Sequence, residues 1–138
     1  MIITKETDYA LRMMRALLDG EKHTIVDIAA KELIPQKFAY QIVRKLSLAG
    51  LIRVLRGQDG GCVLNCELDQ VSLYALMHAV DDKGQICACT GDAYVCAWRQ
   101  ENGGCRVHSQ LCAIQAKLDQ ELKAINLQTL LTDEPASS

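Results

Sequence analysis

Leu51-Ile52-Arg53-Val54-Leu55-Arg56, Gly57-Gln58-Asp59-Gly60-Gly61 and Cys62-Val63-Leu64-Asn65-Cys66 follow one another without a break. The outer two runs are short and β-prone, and the glycine-rich stretch between them reads as a tight turn, so residues 51–66 form a two-stranded hairpin. Immediately upstream, Ala49-Gly50 ends a helix, with glycine in the C′ position. That helix begins after Ile34, with Pro35 in its first turn. It buries Phe38, Ile42 and Leu46 and turns Gln36, Lys37, Tyr40, Gln41 and Arg44 to solvent. Thr24-Ile25-Val26-Asp27 starts a shorter helix in the manner of a capping box, with Asp in place of Glu or Gln, and carries Ile25, Ile28 and Ala29 inward. From about Thr7 to Leu18, the residues Ala10, Met13, Met14 and Leu17 recur at helical spacing, and Gly20 follows as a stop. Three short helices followed by a hairpin make a winged helix-turn-helix.

That fold has a direct physical use. A helix fits the major groove of DNA, about 12 Å wide, and a basic hairpin tip reaches neighbouring phosphates or the minor groove. The charge distribution agrees. The net charge of the 138 residues is −2, yet Lys37, Arg44, Lys45, Arg53 and Arg56 lie between positions 37 and 56 with no acidic residue among them. This is a local basic footprint on a mildly acidic chain; a solvated helix face followed by a charged strand would leave the same trace. The expected DNA contacts are Gln36, Lys37, Tyr40, Gln41 and Arg44 on the third helix and Arg56, Gly57 and Gln58 on the wing.

Length and composition set the outer bounds. The chain suits one domain, and 49% hydrophobic with 23% charged residues is ordinary for a soluble globular protein. No apolar run approaches a membrane span, and the start, Met1-Ile2-Ile3-Thr4-Lys5, lacks a long apolar stretch, so a cytoplasmic location is expected.

Beyond the hairpin, Val71 to Val80 reads as another short amphipathic helix. Residues 81–104 lack periodicity and contain three cysteines, four glycines and the single tryptophan. From Cys105 to about Ile125, Val107, Leu111, Ile114, Leu118, Leu122 and Ile125 form a narrow apolar stripe on an otherwise polar helix. A second copy of the same helix is its natural partner, giving a symmetric homodimer; the alternative is that the stripe packs back on its own domain. The expected organisation is therefore mainly α with a small β-hairpin. A winged helix-turn-helix domain occupies 1–80, a cysteine-rich loop 81–104, a long dimerisation helix and C-terminal segment 105–132, and a disordered tail 133–138.

Seven cysteines stand out. In a reducing compartment they point to metal ligands or redox groups rather than a disulfide framework. Cys62 and Cys66 fall on one face of a strand and suit small core positions. Cys87, Cys89, Cys96 and Cys105 lie in or at the end of the irregular segment, His108 follows one helical turn later, and Cys112 one further turn on. A loop rich in cysteine and poor in apolar side chains cannot offset its ordering entropy by burial, and a bound metal or cluster would supply the difference. The intervals between Cys87, Cys89, Cys96 and Cys105 suit the close pairs of structural zinc poorly. They suit an iron–sulfur cluster better, since thiolates can reach one from an extended loop. Thiol redox chemistry remains the third possibility.

In order and spacing, several short pieces then resemble one family. They are Tyr9-Ala10-Leu11, Ile28-Ala29, Ala49-Gly50-Leu51, Arg56-Gly57 with Gly60-Gly61, three spaced cysteines, and Ile125-Asn126-Leu127. The chain resembles, nearly end to end, the bacterial winged-helix repressors that include the iron–sulfur cluster regulator IscR and the nitric-oxide sensor NsrR. The resemblance implies that Cys89, Cys96 and Cys105 ligate a cluster. Cys105-Arg106-Val107-His108 is similar to the arrangement in which a histidine completes a [2Fe–2S] site. Thr4-Lys5 with Thr7-Asp8 resembles the arrangement in which an aspartate from the partner subunit completes a [4Fe–4S] site. Asp8 is equally a first-turn acid favoured by the helix dipole, so His108 and [2Fe–2S] are preferred. The cysteines are more widely spaced than in those relatives, Cys87 could replace Cys89, Gln58-Asp59 stands where proline and glycine are usual, and Cys62 stands where tyrosine is usual.

The resulting expectation is a homodimeric DNA-binding repressor that senses redox, iron or nitric oxide status through its cluster. An enzyme is not expected, because no nucleophile–base pair or phosphate loop stands out. A cluster-free thiol- or zinc-based regulator or adaptor of the same fold is the main rival. A small electron-transfer protein is a weaker one, since it has no use for a basic helix and wing.

Overall fold

Polar caps and apolar spacing together delimit the helices of the computed structural model, which describes residues 3–81 and 83–132. The expected tail at 133–138 lies outside the described residues. Thr4 caps α1 (Lys5–Ala16), its hydroxyl accepting from Thr7 N–H. Thr24 caps α2 (Ile25–Glu32) by accepting from Asp27 N–H at 3.1 Å, the hydroxyl half of the expected capping box. Pro35 occupies the N-cap of α3 (Gln36–Leu48), and Gly50, beyond its end, has φ +79°, the left-handed geometry that glycine adopts without a Cβ clash. β1 (Ile52–Leu55) and β2 (Gly61–Leu64) then pair antiparallel, Ile52 opposite Leu64 and Leu55 opposite Gly61.

The core is where α1, α2 and α3 meet. Ala10, Met13, Met14 and Leu17 of the first helical segment, Ile28 of α2, and Ala39, Ile42, Val43 and Leu46 of α3 are buried together. Phe38 corrects the sequence reading: it is 44% exposed and lies over Tyr9, ring centroids 5.9 Å apart. With about 3.6 residues per turn, steps of four drift around the helix. The buried face is centred on positions 39, 42, 43 and 46, which leaves Phe38 at its edge. Cys62 is fully buried, as its strand position suggests, whereas Cys66 lies beyond β2 and is half-buried.

One polar group is locked into this core. The Glu32 carboxylate, almost fully buried, accepts from Arg15 Nε at 3.1 Å and pairs with its Nη2, while Arg12 Nη1 donates to the Glu32 carbonyl at 3.1 Å. These contacts fix the end of α2 against α1.

The remaining elements close over the same core. Ser72 caps α4 (Leu73–Ala79), and Leu73, Leu76, Met77 and Val80 are buried. The region 81–104 holds more structure than its sequence suggests: a 3₁₀ turn at Ala88–Thr90 and α5 (Ala97–Asn102). Neither buries a side chain, so neither leaves an apolar periodicity in the sequence. α6 (Arg106–Ala124) is followed by α7 (Leu127–Leu131), and residues 125–127 bridge back to 71–73 through Leu73 N–H to Ile125 O and Leu127 N–H to Val71 O, both 2.9 Å. Leu127 is fully buried in the core that contains α1.

The apolar stripe on α6 divides. Leu122 is buried, and Leu118 and Ile125 pack partly against the core, which realises the alternative of packing on the chain's own domain. Val107 and Ile114 are 66% and 52% exposed, with Leu111 half-buried between them. Only the N-terminal half of the helix therefore keeps an uncovered apolar face.

Candidate nucleic-acid interface and cysteine site

α3 presents Gln36, Lys37, Gln41 and Arg44 as exposed side chains, with Tyr40 51% exposed on the same surface. The wing stands beside it. Tyr40, Thr24, Val26, Val54, Arg56 and Gly57 line one shallow groove, so the exposed face of α3 and the hairpin border a common surface. Arg56, Gly57 and Gln58 are all exposed at the turn.

The wing is held from below. His23 and Cys62 exchange backbone hydrogen bonds, His23 N–H to Cys62 O at 3.0 Å and Cys62 N–H to His23 O at 2.7 Å, a single antiparallel bridge that places the chain at His23 alongside β2. Lys22 Nζ donates to the Asp59 carbonyl inside the turn. A Cβ on Gly61 would lie 2.7 Å from the His23 carbonyl oxygen, so this approach requires glycine.

The basic footprint is redistributed by the fold. Lys45 leaves it, reaching Glu6 at 3.2 Å and Asp81 at 3.3 Å and so tying α3 to the start of α1 and the end of α4. Lys37, Arg44, Arg53 and Arg56 are exposed and have no ion-pair partner among the described residues. Exposed arginine, lysine and glutamine on a helix can donate to base edges or phosphates, and the wing arginine can reach an adjacent phosphate.

The cysteines fall into pairs. Cys87 Sγ and Cys89 Sγ are 3.3 Å apart, because the backbone is extended at Cys87 and then doubles back in the 3₁₀ turn. The hydrogen bond between the two sulfurs holds the Cys87 pKa below the ordinary thiol value, while the same contact and then burial, with smaller contributions from the neighbouring thiols, push Cys89 up. On α6, Cys112 Sγ lies 3.4 Å from His108 Nε2, as their spacing of four predicts. Cys105 caps α6, its sulfur accepting from His108 N–H at 3.4 Å. Burial pushes the Cys62 thiol up and keeps it neutral.

Cys96 joins neither pair. It stands at the N-cap position of α5 without a side-chain capping bond and lines a groove with Arg99, Gly103 and Gly104. Among the described residues no three His, Cys, Asp or Glu side chains converge as a metal-holding group. The donor chemistry, several thiolates and one imidazole around the start of α6, fits an iron–sulfur cluster; the geometry supplies pairs of donors rather than a closed shell. Asp8 is engaged within its own helix, 3.2 Å from Arg12.

One residue that organises this region escaped the sequence reading. Gln115 is buried; its Oε1 accepts from Ile86 N–H at 2.8 Å and Thr90 Oγ1 at 3.3 Å, and its Nε2 donates to Gly84 O at 3.0 Å and Asp119 Oδ1 at 2.9 Å. It clamps the Cys87–Cys89 turn to α6. A signal was available: Gln115 is the polar member of the series 111, 115, 118, 122, whose other members are leucines.

Residues 3–133 match a family model described as Rrf2, iron-dependent transcriptional regulator. The chain belongs to the Rrf2 family. It is thus a DNA-binding transcriptional regulator, from a family of regulators rather than enzymes. Among Rrf2 relatives, it is 26% identical to the HTH-type transcriptional regulator IscR of Vibrio parahaemolyticus, across 96% of this chain and 79% of that one. It is 32% identical to the HTH-type transcriptional regulator NsrR of Geobacillus kaustophilus, across 64% of this chain and 63% of that one. Protein aau3 of Rhizobium meliloti is also 32% identical, the match spanning 64% of this chain and 59% of that protein's length. Two solved structures share the fold. CymR (YrzC), the global cysteine regulator of B. subtilis, superposes with a TM-score of 0.67 at 20% identity, covering 96% and 98% of the two chains. T. potens IscR superposes with a TM-score of 0.70 at 17% identity, covering 99% and 93%. Among the described residues no helix is long and apolar enough to cross a membrane.

Proposed function

We propose that this Rrf2 regulator acts as a symmetric dimer that represses transcription from a DNA operator. Its affinity would be set by a [2Fe–2S] cluster held by Cys89, Cys96, Cys105 and His108, in response to redox, iron or nitric oxide status. The observation that carries this reading is the crowding of function onto the first half of α6. Cys105 caps it, His108 and Cys112 occupy its opening turns, Gln115 clamps the Cys87–Cys89 turn to it, and Val107, Leu111 and Ile114 leave its outer face apolar.

When bound, the cluster supplies one-electron redox chemistry at a potential set by its ligands and surroundings. The chain's own residues do the rest. Gln36, Lys37, Tyr40, Gln41 and Arg44 read or grip the major groove, while Arg56, Gly57 and Gln58 bring the wing to the flanking backbone. The exposed strip of α6 meets its symmetry mate. A change in how the 87–105 segment is anchored therefore acts at the base of the dimer helix, where it alters the spacing of two recognition helices. DNA binding by a dimer is sensitive to that spacing.

The deciding experiment is anaerobic purification of the full chain, followed by its absorption spectrum, its iron and sulfide content, and operator titrations with and without the cluster. Colour, stoichiometric iron and sulfide, and a DNA affinity that differs between the two forms are expected. A colourless protein whose DNA binding ignores iron and sulfide would overturn the reading.

A further inference from the structure

The cysteines outnumber what one cluster takes, and two of them already touch. Residues two apart on an extended strand stand about 6.6 Å from each other along the chain, yet Cys87 Sγ and Cys89 Sγ are separated by 3.3 Å. The 3₁₀ turn at Ala88–Thr90 folds the second sulfur back on the first, and the turn is secured on both sides: Thr90 Oγ1 donates to Cys87 O at 2.8 Å, and Gln115 accepts from Ile86 N–H at 2.8 Å. Both side chains are half-buried and reachable. A disulfide needs its sulfurs at about 2.05 Å, so the two sulfurs must approach by a further distance of the order of 1 Å. Because the fold already holds the two thiols together, the entropic cost of closing the ring is largely met in advance.

We propose that Cys87 and Cys89 are a dithiol switch, a reversible modification site that forms an intrachain disulfide by exchange with a low-molecular-weight disulfide. One of the two thiolates attacks the small disulfide, forming a mixed disulfide and releasing one small thiolate. The other protein thiolate attacks the protein sulfur of that mixed disulfide and expels the second small thiolate. The two thiol protons end on the two released thiols; the protein dithiol loses two electrons and the small disulfide gains them. Cys112 is not the partner, since its sulfur is engaged by His108 on the rigid helix. Resting on the cluster reading, a second consequence follows: Cys89 cannot serve the cluster and the disulfide together, so oxidation and cluster loading exclude each other.

The test uses the full chain stripped of metal, reduced, and incubated anaerobically with glutathione disulfide. Thiols are then alkylated and mapped. Cleavage before Asp82 and Asp92 isolates Cys87 and Cys89 together, away from every other cysteine. The expected result is the loss of two alkylatable thiols, both in that peptide, restored by dithiothreitol. In Cys87→Ser, the same treatment should leave at most a single glutathione adduct on Cys89. Unchanged alkylation of both residues, or a disulfide linking either one to Cys96, Cys105 or Cys112, overturns the switch. Iron and sulfide uptake is measured on the same samples. If the disulfide forms but the reduced chain takes up no cluster, the switch stands and the cluster reading fails. If the oxidised chain loads as fast as the reduced one, the exclusion is overturned.

Discussion

Gln115, buried on α6, accepts the backbone N–H of Ile86 at 2.8 Å and so ties the cysteine turn to a helix almost thirty residues further along the chain. Gln115→Leu would fill the space while removing the acceptor of Ile86 N–H. An unpaired buried polar group costs about 1–3 kcal/mol. The variant should therefore melt earlier, exchange the Ile86 amide faster, and no longer hold Cys87 close to Cys89. Hydrogen exchange at Ile86 equal to that of the parent would show that the clamp does not hold the turn.

The proposed dimer seam can be attacked without touching the fold. Val107 and Ile114 are 66% and 52% exposed, so Val107→Asp with Ile114→Asp should leave the protomer folded. If two copies pack these faces together, the variant buries charges in an apolar interface, which costs several kcal/mol. Circular dichroism should remain that of the parent while sedimentation shows a monomer. A dimer of parental affinity would place the interface elsewhere. Leu122→Asp is a poor substitute, because Leu122 belongs to the protomer's own core.

How much of this was legible in the sequence follows from which forces left a periodic trace. Helices α1 to α3 and the wing were legible because caps, glycines and apolar spacing all agree there. The exposure of Gln36, Lys37, Tyr40, Gln41 and Arg44 on α3 followed from the same periodicity. The region 81–104 was not legible: α5 and the 3₁₀ turn bury nothing, so no apolar spacing announces them. Phe38 was misplaced because one exposed aromatic at the edge of a helix face looks like a core residue in a linear reading. The division of the α6 stripe depends on the C-terminal segment returning to Val71 and Leu73, a contact between positions far apart in the chain.

The ligand assignment separates by variant. Cys96→Ala and Cys105→Ala should each abolish iron and sulfide incorporation, while Cys62→Ala, altering a thiol sealed in the core, should retain it. His108→Ala should shift the cluster spectrum or shorten its lifetime. Asp8→Ala should not, since Asp8 pairs with Arg12 within α1. Iron analysis and absorption spectra of anaerobic preparations check each statement. A Cys96→Ala protein with a normal cluster would move the site to the paired cysteines, Cys87 with Cys89 and Cys112 with His108.

Arg44 and Arg56 lie on the two elements that border one surface, the first exposed on α3 and the second at the wing turn. Neither has an ion-pair partner among the described residues, so each can offer its whole guanidinium fork to DNA. A bidentate arginine–guanine contact contributes about 1–3 kcal/mol of discrimination, whereas a phosphate contact mainly adds salt-dependent affinity. Arg44→Ala should weaken operator binding and relax sequence preference. Arg56→Ala should weaken all duplexes more evenly and make the slope of log K against log salt shallower by about 0.9 for each phosphate that is no longer neutralised. The wing also has to stay in place: Gly61→Ala pushes a methyl group to 2.7 Å from the His23 carbonyl oxygen and should reproduce the Arg56→Ala defect without removing a charge. All three should keep the cluster spectrum of the parent, because these residues lie on elements separate from the cysteine segment. Titrations of selected operator and random duplexes at several salt concentrations, at fixed cluster state, distinguish the roles. Parental binding by both arginine variants would mean that DNA docks on another face.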